Sequence, residues 1–308
     1  MSELEKIHSE IHTSVAAYCN KAHNYKFNLY APVVRLHEPT FSSEEINAAI
    51  DVLLSTQVTM GKKVKKFENE FSNKYNIGHG IMNNSGSSAN LLGIAALANK
   101  VTADGLQHGD EVIVPALSWS TTVWPLIQHG LIPVIVDIDP LTFNIDPNEV
   151  ERAISNKTRA IMPVHVYGNP CDMNSLTDIC ARHNLILIED CCEALGASYE
   201  SIPVGKFGRL GTFSFYFSHH MTTLEGGICV TDDFELSELM RILRAHGWTR
   251  ELDKPEVYNE KYPELDPRFL FVNLGYNLRA TELQGAMGTV QLPKLDSYVK
   301  ARRVNAAN

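Results

Sequence analysis

The chain has 308 residues, of which 44% are hydrophobic and 20% charged, so it can bury a large core and is neither disordered nor a coiled coil. Its net charge of −9 argues against nucleic acid and anionic membranes as partners, because both favour a basic face. No segment approaches about 18 consecutive apolar residues, and the polar N-terminus lacks the apolar centre of a secretory signal. Six cysteines without zinc-type spacing suit a cytosolic protein, so we expect a cytoplasmic location and no metal site.

Helical periodicity alternates with short apolar runs along the chain. The predicted helices cover residues 46–54, 89–99, 234–246 and 279–292. The predicted strands begin at Glu111, Ile132, Arg159, Leu185, Gly211 and Gly226, and their apolar runs are typical of strands buried on both faces. The polar, proline-containing segment 251–272 is predicted to be a surface excursion without a strand. This alternation predicts an α/β fold with a mostly parallel central sheet and flanking helices.

A turn containing Gly86, Ser87 and Ser88 precedes the apolar helix that begins near Ala89. Such a turn offers free backbone N–H groups, hydroxyl groups and the positive end of a helix dipole, which together suit a phosphate group. The alternative is a plain serine N-cap.

A carboxylate pair, Glu189-Asp190, ends one of the buried strands. Ligands of open α/β sheets bind outside the carboxyl ends of the strands, so a carboxylate there could pair with a protonated ring nitrogen of a cofactor. The alternative is an aspartate that caps a following helix, with Glu193 as its capping-box partner.

Two further candidates follow strands. Trp119 comes after the run that begins at Glu111, where an indole could stack on a planar cofactor, although core packing is the alternative. The pair His219-His220 lies in a turn between two strands, and imidazole suits general-base chemistry near neutral pH. The alternatives are a solvated loop histidine or half of a metal site, which lacks further ligands at a regular spacing.

Together these features resemble the DegT/StrS-type sugar aminotransferases from about Phe41 to the end of the chain. The landmarks are Gly61 with Phe67-Glu68, Asn84 to Ser87, His165 to Pro170, Glu189-Asp190, Ser214-Phe215, Glu225 to Gly227 and Gly275 to Arg279. The resemblance implies a type I pyridoxal-phosphate (PLP) fold, like that of aspartate aminotransferase. It further implies an N-terminal helical arm at 1–40, a large PLP-binding domain at 41–270, and the start of a C-terminal small domain at 271–308 whose remainder is absent.

One position departs from the aminotransferase pattern. Those enzymes carry a lysine five residues after the strand serine, where this chain has His219, and no lysine occurs between Lys206 and Lys254. A lysine amine bonds covalently to the PLP aldehyde, whereas imidazole cannot hold it in that way but can still move protons. The exchange resembles the family's 3-dehydratases of nucleotide-linked 4-keto-6-deoxyhexoses. It implies that PLP or pyridoxamine phosphate (PMP) is bound noncovalently.

The resemblance also implies roles for individual residues. Gly86, Ser87 and Ser214 would bind the cofactor phosphate, Trp119 would stack on its ring, Asp190 would hold the ring nitrogen protonated, Glu193 would lie near the ring hydroxyl, and His219 would be the catalytic base. Asn277 matches a residue that reaches the phosphate from a second subunit, which implies a homodimer with shared sites.

The implied activity is C3 dehydration of a nucleotide-linked 4-keto-6-deoxyhexose, a step towards a 3,6-dideoxysugar of a surface polysaccharide such as lipopolysaccharide O-antigen. Glutamate would restore PMP, and the nucleotide and hexose stay open. An iron–sulfur cluster is not expected, because a cluster needs about four thiolates and only Cys229 follows His220. Two alternatives stay open: a PLP-dependent nucleotide-sugar aminotransferase that uses Lys206, and a noncatalytic relative that has kept the pocket.

Overall fold

The computed structural model describes residues 1–23, 27–33 and 40–307. Of the predicted arm at 1–40, residues 3–22 are helical, while residues 24–26 and 34–39 lie outside the described part. The α-helices are α1 (Glu3–Ala22), α2 (Ser43–Ser55), α3 (Lys62–Tyr75), α4 (Gly86–Leu97), α5 (Ser120–Gln128), α6 (Pro147–Ala153), α7 (Met173–His183), α8 (Phe234–Arg244), α9 (Glu256–Lys261), α10 (Glu282–Gln291) and α11 (Leu295–Ala307). The strands are β1 (His79–Asn83), β2 (Glu111–Pro115), β3 (Ile132–Val136), β4 (Thr158–Ile161), β5 (Ile186–Asp190), β6 (Ser198–Tyr199), β7 (Ile202–Pro203), β8 (Leu210–Ser214) and β9 (Gly227–Thr231).

Seven strands form one sheet in the order β1-β9-β8-β5-β4-β2-β3. The pairs β2–β3, β2–β4, β4–β5 and β5–β8 are parallel, whereas β9 runs antiparallel to both β1 and β8. The prediction of a mostly parallel sheet is therefore confirmed. Strands β6 and β7 form a separate small hairpin. The domain boundaries at 40/41 and 270/271 stay predictions.

Two strands differ from the sequence expectation. Strand β3 was expected to be buried on both faces, but Ile132 and Ile135 are 44% and 62% exposed. The reason is that β3 is the edge strand of the sheet and has a neighbouring strand, β2, on one side alone. Strand β1 was not predicted, because its sequence HGIMN is short and contains a glycine rather than an apolar run.

Two predicted helices are shorter than expected, for reasons visible in the backbone. The helix expected at 234–246 ends at Arg244, because Ala245 pairs with Asn277 and His246 adopts a left-handed φ of 65°. The helix expected at 279–292 begins at Glu282, since Thr281 caps it and forms a capping box with Gln284. Segment 251–272 contains the short helix α9 and a single 3-10 turn, as suits a surface excursion.

The buried core fixes the strand ends that matter for function. Helices α4 and α8 pack together and contact the sheet, while Phe67 and Phe71 of α3 pack against Phe213 and Phe215 of β8 and its extension. Because β2, β4, β5 and β8 are parallel, their carboxyl ends meet at one edge of the sheet. No helix of the described residues has the length and apolarity that a membrane span requires.

Candidate active site

A cavity of about 590 Å³ opens at the carboxyl-terminal edge of the parallel strands. Its walls come from the first turn of α4, the segment before α5, the end of β5, and the end of β8 with the turn that follows. Seven of the eight candidate site residues line it: Gly86, Ser87, Trp119, Asp190, Glu193, Ser214 and His219. The eighth, Asn277, is exposed and lies outside the lining of its own chain's cavity.

The N-terminus of α4 forms one wall. Ser85 is the N-cap, and its hydroxyl accepts a hydrogen bond from the Ser88 N–H at 3.1 Å. The N–H groups of Gly86 and Ser87 precede the first intrahelical bond, so they are free to bind a ligand. Capping and phosphate binding are therefore compatible, because Ser85 caps the helix while Gly86 and Ser87 offer their N–H groups to a ligand.

Gly86 is required by the close approach of α4 to the end of β8. A Cβ atom at this position would lie 2.4 Å from the Cβ of Ser214 and 2.7 Å from its hydroxyl oxygen. The absence of a side chain thus leaves a cradle of backbone N–H groups beside the Ser214 hydroxyl. This donor set and the positive end of the helix dipole fit a phosphate group.

Asp190 is a buried carboxylate held at the end of β5. Its Oδ2 accepts hydrogen bonds from the Thr122 hydroxyl at 2.8 Å and the Asn90 amide at 2.9 Å, and its Oδ1 accepts one from the Cys192 N–H at 3.1 Å. The Thr212 hydroxyl in turn donates to the side-chain Oδ1 of Asn90 at 2.6 Å, which fixes the orientation of that amide. Every partner donates, so Asp190 presents an oriented acceptor to the cavity.

The helix-capping alternative for Asp190 is wrong. No helix begins in the described residues 191–197, which form turns after β5. The Glu193 carboxylate instead accepts a hydrogen bond from the backbone N–H of Tyr167 at 2.9 Å. Tyr167 has a left-handed φ of 52°, and this bond stabilises its unusual backbone beside the cavity.

Trp119 is the N-cap residue of α5 and is 71% exposed. The core-packing alternative is therefore wrong. An indole on the cavity wall with its surface uncovered can pack on a planar ring that enters the cavity.

His219 lies in the turn between β8 and β9, where its N–H donates to the Tyr216 carbonyl at 3.0 Å. Burial of the imidazole lowers the pKa of His219, the Asp190 carboxylate acts in the opposite direction, and the Arg302 guanidinium lowers it further. Arg302, on α11, also donates to the His219 carbonyl at 3.4 Å. The imidazole is thus biased towards its neutral, proton-accepting form.

His220 has a different environment. It does not line the cavity, its buried Nδ1 has no hydrogen-bond partner, and burial lowers its pKa to about 4. These facts favour a packing role for His220.

Lysine is not among the residues that line the cavity in the described part of the chain. The Lys206 ammonium donates instead to the Asn76 carbonyl, away from the cavity lining. The structure therefore gives no support to Lys206 as a cofactor-binding lysine.

Sequence reasoning missed the residues that hold Asp190. Asn90 and Thr122 are buried polar residues in otherwise apolar surroundings, and a buried polar side chain usually marks a specific hydrogen bond. The one available signal was Asn90, which interrupts the apolar face of α4 one turn after Gly86.

Residues 39–308 match the DegT/DnrJ/EryC1/StrS aminotransferase family. This chain belongs to that family, whose solved members share the mostly parallel α/β fold described above.

Three similar proteins are informative. The chain is 44% identical to the GDP-4-keto-6-deoxy-D-mannose 3-dehydratase of Yersinia pseudotuberculosis, over 88% of this chain and 69% of that one. It is 36% identical to the lipopolysaccharide biosynthesis protein RfbH of Salmonella typhimurium, over 97% and 71% of the two chains. A crystal structure of GDP-4-keto-6-deoxymannose-3-dehydratase with a trapped PLP-glutamate geminal diamine superposes with a TM-score of 0.85 at 42% identity, covering 89% of this chain and 72% of that one.

Proposed function

We propose that this protein is a PLP/PMP-dependent 3-dehydratase that removes the C3 hydroxyl of a nucleotide-linked 4-keto-6-deoxyhexose, with GDP as the nucleotide. The observation that carries the proposal is the cavity itself: it holds an imidazole, His219, and no described lysine lines it. The GDP-sugar dehydratase at 44% identity supports both the reaction and the nucleotide.

The cavity fits the coenzyme at three points. The Gly86 and Ser87 N–H groups and the Ser214 hydroxyl would bind its phosphate, the Asp190 carboxylate would accept a hydrogen bond from its protonated ring nitrogen, and Trp119 would cover one ring face. Glu193 lines the same cavity, where it would lie near the ring hydroxyl. When bound, PMP supplies an amine that condenses with a ketone and a ring that delocalises negative charge.

His219 would perform the proton transfer. Burial lowers the pKa of its half-buried imidazole from the usual histidine value. The ring is therefore uncharged at neutral pH, and a ring nitrogen can accept a proton. Asp190 is held by Thr122 and Asn90, so its carboxylate would keep the ring nitrogen of the bound coenzyme protonated. The proton that His219 accepts would leave with the C3 hydroxyl as water.

Glutamate would restore the amine form, as the PLP-glutamate adduct in the solved relative suggests. The product would serve a surface polysaccharide, in line with the similarity to RfbH.

The enzyme would act in the cytoplasm as a homodimer, with the exposed Asn277 of each copy reaching the other copy's site. Exposed Phe269, Phe271 and Leu274 lie close to Asn277 in the sequence and suit an apolar interface.

Turnover with GDP- and CDP-linked 4-keto-6-deoxyhexoses, with glutamate present or withheld, tests this function. We expect water loss at C3 with the GDP sugar, with more than one turnover only when glutamate is present. Transfer of nitrogen to C4 without loss of the C3 oxygen would contradict it and favour the aminotransferase.

Borohydride reduction of the PLP-loaded protein, followed by peptide mass mapping, tests the aminotransferase alternative independently. We expect no lysine peptide to carry the coenzyme. A coenzyme-modified Lys206 would overturn the assignment of His219.

A further inference from the structure

A second group of chemically reactive side chains lies between α1 and α2, on elements that contribute nothing to the lining of the cavity. His8 and His12 are four residues apart on α1, so both imidazoles project from one face of the helix. Asp51 projects from α2, and its Oδ1 lies 2.7 Å from the Nε2 of each histidine. The three ligand atoms lie within 4.8 Å of one another.

We propose that His8, His12 and Asp51 bind a divalent transition-metal ion of the zinc type, which clamps the N-terminal helix onto α2. Two imidazole nitrogens and one carboxylate oxygen form a donor set that suits Zn²⁺ and its neighbours in the first transition series. All three side chains are partly exposed, so an ion can enter and water can complete its coordination.

The geometry needs only a small adjustment to accept the ion. With metal–ligand bonds of about 2.0–2.2 Å, ligand atoms of a tetrahedral site lie roughly 3.3–3.5 Å apart. The present Nε2–Oδ1 separations of 2.7 Å are those of hydrogen bonds, so Asp51 would withdraw by less than about 1 Å as the ion replaces the two bridging protons. Rotation about the side-chain bonds of the partly exposed Asp51 can supply this movement.

The clamp would connect segments that are distant in sequence. Asp51 is 43 residues from His8 and 39 residues from His12 in the sequence. One bound ion would therefore close a long loop of the chain. Ligand spacing along the chain could not reveal this site, because the i, i+4 histidine pair lacks its third ligand until α2 packs against α1.

Equilibrium dialysis of the full, coenzyme-loaded chain against Zn²⁺, with metal analysis, tests the proposal. We expect His8→Ala/His12→Ala to lose one equivalent of Zn²⁺ per chain relative to the unchanged protein, and Asp51→Asn to bind the ion more weakly. Zn²⁺ should raise the melting temperature of the unchanged protein and leave that of the double variant the same.

The matched control is His183→Ala. His183 lies on the surface 3.2 Å from Glu151, so it forms a histidine–carboxylate contact without a second histidine. This variant should keep the full equivalent of Zn²⁺. Equal Zn²⁺ binding by the unchanged protein and His8→Ala/His12→Ala would overturn the proposal, as would an equal loss in His183→Ala, because either result would mean nonspecific surface binding.

Discussion

His219 is half-buried beside the cavity, and its environment determines the pH range in which it can accept a proton. Burial lowers its pKa, Asp190 opposes this effect, and the Arg302 charge lowers the pKa further. A base must be neutral to act, so a lowered pKa extends activity to more acidic solution. We expect the acidic limb of the kcat/KM profile to lie below about pH 6.5, the ordinary value for histidine.

Arg302→Gln should move that acidic limb to higher pH, because the variant removes one of the two influences that lower the His219 pKa. The matched control is Arg303→Gln, since Arg303 lies next on α11 but donates to the Gly196 carbonyl instead. The pH dependence of kcat/KM, measured for both variants, tests this prediction. An unchanged limb in Arg302→Gln would mean that the charge of Arg302 does not reach the catalytic group.

His219→Asn should bind the coenzyme normally yet lose about 10²–10⁴-fold in turnover, the usual contribution of a positioned general base. The phosphate cradle and Asp190 stay intact in this variant, which is why binding and turnover should separate. Coenzyme titration by absorbance and single-turnover kinetics measure the two properties. Full turnover by the variant would remove His219 from the proton transfer.

Helix α4 can supply its N–H groups only while its first turn touches β8. Gly86→Ala would place a Cβ 2.4 Å from that of Ser214, so the turn must shift away and coenzyme affinity should fall by at least about tenfold. Gly61→Ala is the control, because its Cβ would meet nothing closer than 3.4 Å. Equal affinities in the two variants would show that the cradle tolerates displacement.

A buried ionic cluster links Glu68 of α3 to Arg241 and Arg244 of α8, next to the backbone of β1. The Glu68 carboxylate accepts hydrogen bonds from Arg241, from Arg244 and from the Met82 N–H, and all three charged side chains are almost fully buried. Removing the charge of Glu68 takes away the carboxylate that pairs with the buried Arg244, whereas Arg241 keeps Glu238 at 3.5 Å and Asp253 at 3.6 Å. We expect Glu68→Gln to lower the free energy of unfolding by about 3–5 kcal/mol in urea denaturation.

The control for this element is Glu70→Gln on the same helix. Glu70 pairs with Lys66 at 3.7 Å on the exposed face, so its loss should cost at most about 0.5 kcal/mol. Similar values for the two variants would mean that the Glu68 cluster adds little to the stability of the fold.

The location of the cavity is predictable from the sequence, because the strand ends of a parallel sheet converge. Gly86, Asp190 and Ser214 each adjoin the end of a strand or the start of a helix, which is a local feature of the sequence. The supports of Asp190 could not be found in this way. Asn90 and Thr122 are 100 and 68 residues from it, and only the packing of α4 and α5 against the sheet brings them together.

The location of Asn277 leads to a prediction about assembly. In its own chain Asn277 is exposed, accepts a hydrogen bond from Arg279 and stays outside the cavity lining, which favours the proposed contact with the coenzyme phosphate of a second copy. We expect Asn277→Ala to weaken coenzyme binding and to abolish most turnover, although every residue of the chain's own cavity is unchanged. Normal binding by this variant would exclude the role of Asn277.

Mixed dimers distinguish a shared site from an isolated one. When one copy carries His219→Asn and the other Asn277→Ala, a shared arrangement leaves one site with both native groups, whereas the other site has both defects. Dimers purified through two different tags should therefore recover about half of the native turnover, although each parent variant has lost most of its own. If Asn277 acted within its own chain, both sites of the mixed dimer would be defective and no activity would return. Recovery consequently requires that each cavity be completed by the neighbouring copy.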